Sequence, residues 1–144
     1  MADFTRTILE DLRRHEGFRD KPYRDSVGKL TIGYGWNLDA VPMQKSWAEF
    51  ILLSQVEEAI SDLRKFGFWG RLNDERKAVV ANMRFQLGPT RFRGFEKMIA
   101  ALERDDYKAA ADEMLDSKAA KQTPNRYHEL AGRMRSAGEP VNVA

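Results

Sequence analysis

Apolar residues recur at helical spacing along most of the chain, and the segment from 18 to 39 interrupts this pattern. The first pattern predicts a helix over residues 4–16, with Asp3 as its N-cap and Gly17 at its end. In the interrupting segment, Pro22 and several glycines separate short stretches rich in β-branched and aromatic residues. That composition predicts a small antiparallel sheet with tight turns.

A long helical pattern covers about residues 44–66, and its charged residues lie largely opposite an apolar stripe. The stripe consists of Leu53, Val56, Ile60 and Leu63, and the charged residues are Glu57, Glu58, Asp62, Arg64 and Lys65. Shorter helical patterns follow within about 73–137. The first of them lies near 74–87 with Asn73 as its predicted N-cap, and the last has Thr123 as its predicted N-cap.

The apolar positions of the shorter helices predict a core of Val79, Val80, Met83, Leu87, Phe95, Met98, Ile99, Leu102, Tyr107, Ala110, Ala111, Met114, Leu115, Tyr127, Leu130, Ala131 and Met134. From Gly138 onward we predict a frayed tail. Helices that segregate from a small sheet indicate an α+β fold, and 144 residues suffice for one domain.

We therefore predict a single catalytic domain over residues 1–144. A small antiparallel β lobe at about 17–40 would be joined by the long helix at 44–66 to a helical lobe at 73–137. A cleft between two such lobes is a typical place for a ligand.

The composition indicates a globular protein and argues against several kinds of site and partner. Of the residues, 42% are hydrophobic and 32% are charged, and the net charge is +2. Acidic and basic residues mix along every predicted helix, so no basic face predicts nucleic-acid binding. With no cysteine and two histidines, a structural zinc site is not expected. The apolar runs are too short for membrane insertion. The first turns of the chain carry acidic residues and lack an apolar segment, so a secretory signal is not expected there.

The most informative residues lie near the start of the chain. Glu16 ends the first predicted helix, Asp25 follows in a turn, and Thr31 lies on a glycine-rich strand. Two carboxylates and a hydroxyl from different elements can surround one bond and one water molecule, as acid–base hydrolysis of a glycoside requires. The negative end of a helix dipole also favours the protonated carboxyl that a general acid needs.

Five short stretches carry a resemblance to a known family. The sequence resembles the phage-type lysozymes, a family of endolysins, from about residue 4 to 136. The stretches are EGFR at 16–19, YRD at 23–25, GKLTIGYG at 28–35, NMRFQLG at 82–88 and QTPNR at 122–126. The resemblance implies a lysozyme-like fold with its active site in the cleft between the two lobes.

The resemblance also implies a reaction, the hydrolysis of the β-1,4 bond between N-acetylmuramic acid and N-acetylglucosamine in peptidoglycan. Glu16 would be the proton donor, Asp25 would orient or deprotonate the attacking water, and Thr31 would help to hold that water. Inversion of configuration is expected, with the two carboxyl groups roughly 6.5–9.5 Å apart, whereas a gap near ~5 Å would favour a retaining route. No metal or organic cofactor is expected.

The same resemblance suggests residues that bind the substrate. Gly33 would let a sugar chain approach the backbone closely. Phe85 and Gln86 would line the cleft, with the amide of Gln86 available to a sugar or an acetamido group. Arg126 would lie beside the catalytic glutamate. The chain departs from the family at Trp36, where many members have a histidine, and at residues 119–120, where some carry aromatic residues and this chain has two alanines.

The resemblance places the protein with phage or prophage endolysins that act on peptidoglycan glycan strands. Such a protein would accumulate in the host cytoplasm until a holin opens the membrane, and a monomer is expected. Two alternatives stay open at this point. One is a lytic transglycosylase, which needs no attacking water; the other is a catalytically silent wall-binding or virion structural module on the same fold.

Overall fold

The computed structural model describes residues 1–137, and the tail predicted from Gly138 lies outside them. The chain divides into two compact units, Met1–Phe50 and the part from Ile51 onward. Across the described residues, seven α-helices and a three-stranded antiparallel sheet make up an α+β fold, as predicted. No helix within residues 1–137 combines the length and the apolar character needed to cross a bilayer.

The first unit begins with helix α1, Asp3–Glu16. Ala2 occupies the N-cap position without a side-chain hydrogen bond, so the prediction of Asp3 as the cap is wrong. Asp3 is instead the first helical residue, where its negative charge faces the positive end of the helix dipole. The helix ends as predicted at Gly17, whose backbone φ of 68° is one that glycine readily adopts.

A small sheet follows, formed by β1, Arg19–Arg24, β2, Leu30–Gly33, and β3, Trp36–Asn37. Its order is β1-β2-β3 and both pairs are antiparallel. Thr31 on the central strand pairs with Tyr23 on one side and with Asn37 on the other. Thr31 is buried, because it has a strand on each side.

Trp36 ties the end of the sheet to the next helix. Its indole Nε1 donates a hydrogen bond to the carbonyl oxygen of Val41 at 2.9 Å, and its ring meets that of Trp47 edge-on at 5.7 Å. Trp47 belongs to helix α2, Lys45–Leu63. A tryptophan at the position where relatives often carry a histidine therefore has a structural role of its own.

The second unit contains helices α3, Asp74–Arg93, α4, Glu96–Glu103, α5, Tyr107–Leu115, α6, Lys118–Gln122, and α7, Pro124–Ser136. A short 3₁₀ turn, Trp69–Arg71, precedes them. Helix α3 is interrupted at Gly88, which has a φ of 77° and is followed by Pro89, so the predicted helix near 74–87 corresponds to its first part. Helix α6 was not predicted from the sequence, because its five residues are too few to show a period.

The predicted core of the second unit is largely confirmed. Most of the predicted apolar positions are buried, and Phe95, Ile99, Tyr107 and Leu115 pack partly exposed against them. Asn73 caps α3 as predicted, with its Oδ1 accepting from the Arg76 amide at 2.9 Å. Thr123 does occupy the N-cap position of α7, but its hydroxyl donates to the carbonyl of Ala119 instead of capping the helix. In α2, Leu53 is 58% exposed, so its assignment to a buried stripe is wrong.

Asp62 of α2 also lies elsewhere than the sequence predicts. It was predicted on the charged outer side, yet its side chain is only 12% exposed and meets the buried side chain of Arg84. Arg84 Nε donates to Asp62 Oδ2 at 2.7 Å, and Arg93 donates to both carboxylate oxygens at 2.7 and 2.9 Å. This cluster ties the end of α2 to α3, because a buried guanidinium needs a paired acceptor.

The cluster makes stability depend on pH in a defined direction. The hydrogen bonds from Arg93 and Arg84 hold the pKa of Asp62 well below its usual range, although burial opposes them. A group whose pKa is lowered by folding stabilises the folded state above its unfolded pKa of about 3.9. That contribution is lost as the pH falls from there through the folded pKa.

Replacing Asp62 with asparagine should lower the free energy of unfolding by about 2–3 kcal/mol near neutral pH, because Arg84 stays buried without its counter-charge. The difference from wild type should shrink below about pH 4, where the wild-type carboxylate begins to lose its advantage. Urea unfolding over a range of pH measures both effects. The matched control is Asp112→Asn, whose exposed pair with Arg135 should contribute less than about 1 kcal/mol. Equal losses in the two variants would contradict this account of the cluster.

Candidate active site

Glu16 is the last residue of α1, and its carboxyl group lies against the backbone of Gly35. A Cβ atom placed on Gly35 would come within 2.5 Å of Glu16 Oε2 and 2.9 Å of Glu16 Cδ. Gly35 also has a φ of +68°, in the left-handed region that side chains rarely adopt. The turn between β2 and β3 therefore lies against the Glu16 carboxyl group. The positive φ favours glycine at Gly35, and a Cβ there would displace the flexible end of the Glu16 side chain.

Asp25 follows β1 and is held by the backbone of its own turn. Its Oδ1 accepts hydrogen bonds from the amides of Val27 at 3.0 Å and Lys29 at 2.8 Å. Among residues 1–137, no group donates a hydrogen bond to the other carboxylate oxygen, Oδ2. The carboxylate is thus oriented through one oxygen, while the second can accept a hydrogen bond from another molecule.

Thr31 is linked to Asp25 through a single residue, Lys29. The Thr31 hydroxyl donates to the carbonyl of Lys29 at 2.9 Å, and the amide of Asp25 donates to the same carbonyl at 2.9 Å. Because its proton is committed to that carbonyl, the Thr31 oxygen keeps lone-pair capacity to accept another hydrogen bond. The Thr31 hydroxyl and the Asp25 amide therefore meet at one carbonyl, and the predicted action of the two side chains on one water molecule stays a prediction.

Gly33 ends β2 with a φ of +66°, and nothing lies within 4 Å of a Cβ added to it. Its neighbour across the sheet is Arg19. The open space beside the backbone is compatible with the predicted close approach of a sugar chain, which stays a prediction.

The other predicted binding residues belong to the second unit. Arg126 of α7 donates through Nε and one terminal nitrogen to Asn82 Oδ1 at 3.0 and 2.6 Å. Arg126, Asn82 and Phe85 line a groove of about 620 Å³. Gln86 accepts a hydrogen bond at its Oε1 from the Tyr127 hydroxyl at 2.9 Å. Because Arg126 and Glu16 belong to different units, their predicted pairing stays a prediction.

Three residues that organise these groups were missed by sequence reasoning. Asn82 lies three residues before Phe85 and shares its helix face, so helical spacing could have suggested it. Lys29 acts through its backbone amide and carbonyl, which any residue type except proline could supply, and it therefore leaves little signal in the sequence. Tyr127 was predicted as a core residue only. Residues 1–137 contain no group of three or more histidine or acidic side chains positioned to hold a metal ion.

The sequence matches a known protein family over most of its length. The family model described as phage lysozyme matches residues 13–135, which is most of the chain. The chain belongs to the phage lysozyme family. Its α+β architecture is accordingly lysozyme-like.

One curated relative is the pre-baseplate central spike protein Gp5 of Enterobacteria phage T4. It is 26% identical over 171 aligned residues, which cover 95% of this chain and 30% of the spike protein. The chain therefore spans about 30% of the length of the curated relative that it matches.

Replacing Gly35 with alanine should displace the Glu16 carboxyl group, and the hydrolysis of peptidoglycan that we propose below should then fall by roughly 100-fold, as a misplacement of about 1 Å can do. An alanine in this left-handed conformation should also lower the free energy of unfolding by about 1–2 kcal/mol. Turbidity loss of purified peptidoglycan and thermal unfolding measure the two effects.

The matched control is Gly88→Ala in the second unit, at a φ of +77° with nothing within 4 Å of the added Cβ. This variant carries similar backbone strain without a contact to Glu16. A loss of turnover as large as that of Gly35→Ala would show that strain, rather than contact with the carboxyl group, is responsible.

Proposed function

We propose that this protein is an N-acetylmuramidase that hydrolyses the β-1,4 bond between N-acetylmuramic acid and N-acetylglucosamine in peptidoglycan. Glu16 would protonate the leaving oxygen, and Asp25 with Thr31 would direct water to the anomeric carbon. The observation that carries the proposal is the arrangement of Asp25, which is held at Oδ1 by two backbone amides with Oδ2 left to accept from a ligand.

The two carboxyl groups differ in the protein groups that contact them, and this difference supports the roles that we propose for them. Asp25 is held at Oδ1 by two N–H donors, which orient the carboxyl group and leave Oδ2 to accept a hydrogen bond from water. The carboxyl group of Glu16 lies against the turn at Gly35, and among the described residues no amide donates to it. An attacking water opposite the leaving group inverts the configuration at the anomeric carbon.

Replacing Glu16 with glutamine should lower turnover by about 10²- to 10⁴-fold, because the amide cannot donate a proton to the leaving oxygen. Mass spectrometry of the ends released from purified peptidoglycan is the measurement. The wild type should release reducing N-acetylmuramic acid ends, and the variant should release them more slowly by that factor. Glu10→Gln, an exposed change on the same helix, is the control and should behave as wild type. No release by a well-folded wild type would favour a silent wall-binding module.

Replacing Asp25 with asparagine separates hydrolysis from lytic transglycosylation. The asparagine oxygen can still accept from the amides of Val27 and Lys29, so the turn is retained while the second oxygen becomes an NH₂ group. Turnover should fall sharply, since no group then receives the proton from water. Unchanged turnover with anhydro-muramic ends would contradict hydrolysis and favour a transglycosylase.

The biological setting that we propose is host-cell lysis by an endolysin that acts as a monomer on peptidoglycan strands. It would stay in the host cytoplasm until a holin gives it access to the wall. A second setting is a virion-associated lysozyme, favoured by the match to a central spike protein. Mass spectrometry of purified phage particles distinguishes them, because an endolysin should be absent from washed virions and a virion component should be present in each.

A further inference from the structure

Tyr127 is a fully buried residue of α7 whose hydroxyl faces α3. It donates a hydrogen bond to Gln86 Oε1 at 2.9 Å. Burial raises the pKa of the Tyr127 hydroxyl, against the opposing charges of Arg126 and Arg91, so the group is protonated at neutral pH. A protonated hydroxyl with a buried ring is a fixed donor, because the ring cannot move without opening the core.

This hydrogen bond determines which way the Gln86 amide points. With Oε1 bound to Tyr127, the Nε2 group is directed to the other side of the carboxamide. Within the described part of the chain, Nε2 donates to no protein atom, and Gln86 is half-buried. The Nε2 group of Gln86 is therefore left with donor capacity that an acceptor oxygen of a ligand would satisfy.

A second side-chain hydrogen bond joins α7 to α3 about one turn of α3 away from the first. Arg126 holds Asn82, and the next residue, Tyr127, holds Gln86, which is four residues further along α3. Residues four apart lie on the same helix face. The two contacts therefore hold one face of α3 against α7, which limits rotation of the Gln86 backbone as well as of its amide.

We propose that Tyr127 is a positioning residue that orients the Gln86 amide as a donor to the acetamido carbonyl of an N-acetylated sugar. The inference rests on the proposed function, which supplies the N-acetylated substrate. A preoriented amide binds more tightly than a freely rotating one, because less side-chain freedom is lost on binding. The benefit is equal in the ground state and the transition state, so it acts on KM rather than on kcat.

Replacing Tyr127 with phenylalanine retains the ring and removes only the hydroxyl. We expect KM for peptidoglycan to rise about 2- to 10-fold with kcat unchanged. In a Gln86→Ala background the same substitution should have no further effect, because the residue that it orients is absent. On partly de-N-acetylated peptidoglycan the difference between Tyr127→Phe and wild type should shrink as the acetamido groups are removed.

A second variant tests the direction of the hydrogen bond. In Gln86→Glu, the carboxylate can still accept from Tyr127 but offers no donor to the sugar, so KM should rise at least as much as in Gln86→Ala. Wild-type KM in Gln86→Glu would overturn the proposal. Tyr107→Phe is the matched control for loss of a hydroxyl in this unit, and it should leave KM unchanged.

Unchanged KM in Tyr127→Phe, or an equal effect of that change with and without Gln86, would also overturn the inference. Thermal unfolding of each variant identifies any loss of folded protein, and kinetics are then compared per folded molecule. If wild type proves inactive, the proposed function fails on its own. The same variants are then compared by the affinity of the protein for purified sacculi, where the same pattern is expected of Kd.

Discussion

The peptide groups of Lys29 are the constraint on which the proposed chemistry depends. The Lys29 amide binds the Asp25 carboxylate, and its carbonyl accepts from both the Asp25 amide and the Thr31 hydroxyl. These bonds close the turn between β1 and β2 and at the same time orient the carboxylate and the hydroxyl. Because the donors and acceptor are backbone groups in a hydrogen-bonded hairpin, their positions are as rigid as the sheet itself.

The second unit relies on α3 in a comparable way. One face of that helix carries Asn82 and Gln86, which are bound by consecutive residues of α7, Arg126 and Tyr127. Another face carries the buried guanidinium of Arg84, which is neutralised by Asp62. Apolar packing holds these helices together, and the directional polar contacts fix the rotation of each helix about its own axis. Phe85 and Gln86, two of the residues suggested for substrate binding, therefore lie on a helix that is restrained on two faces.

Much of the fold could be predicted from the sequence, because helical spacing of apolar residues directly reports buried faces. The core positions of α3, α5 and α7 followed from that spacing. Asp62 could not be placed, because its burial depends on Arg84 and Arg93, 22 and 31 residues away, and a charged residue normally faces solvent. The motif predicted Asp25 and Thr31 as site residues, but the part played by Lys29 could not be predicted, since it involves backbone atoms alone.

The central claim is that water, oriented by Asp25 and Thr31, attacks the anomeric carbon. The most direct test is hydrolysis of peptidoglycan in water labelled with heavy oxygen, with the anomeric configuration of new ends followed at early times by NMR. The account predicts one heavy oxygen on each new N-acetylmuramic acid end, initially in the α configuration. Ends in the β configuration, or anhydro ends without label, would contradict it.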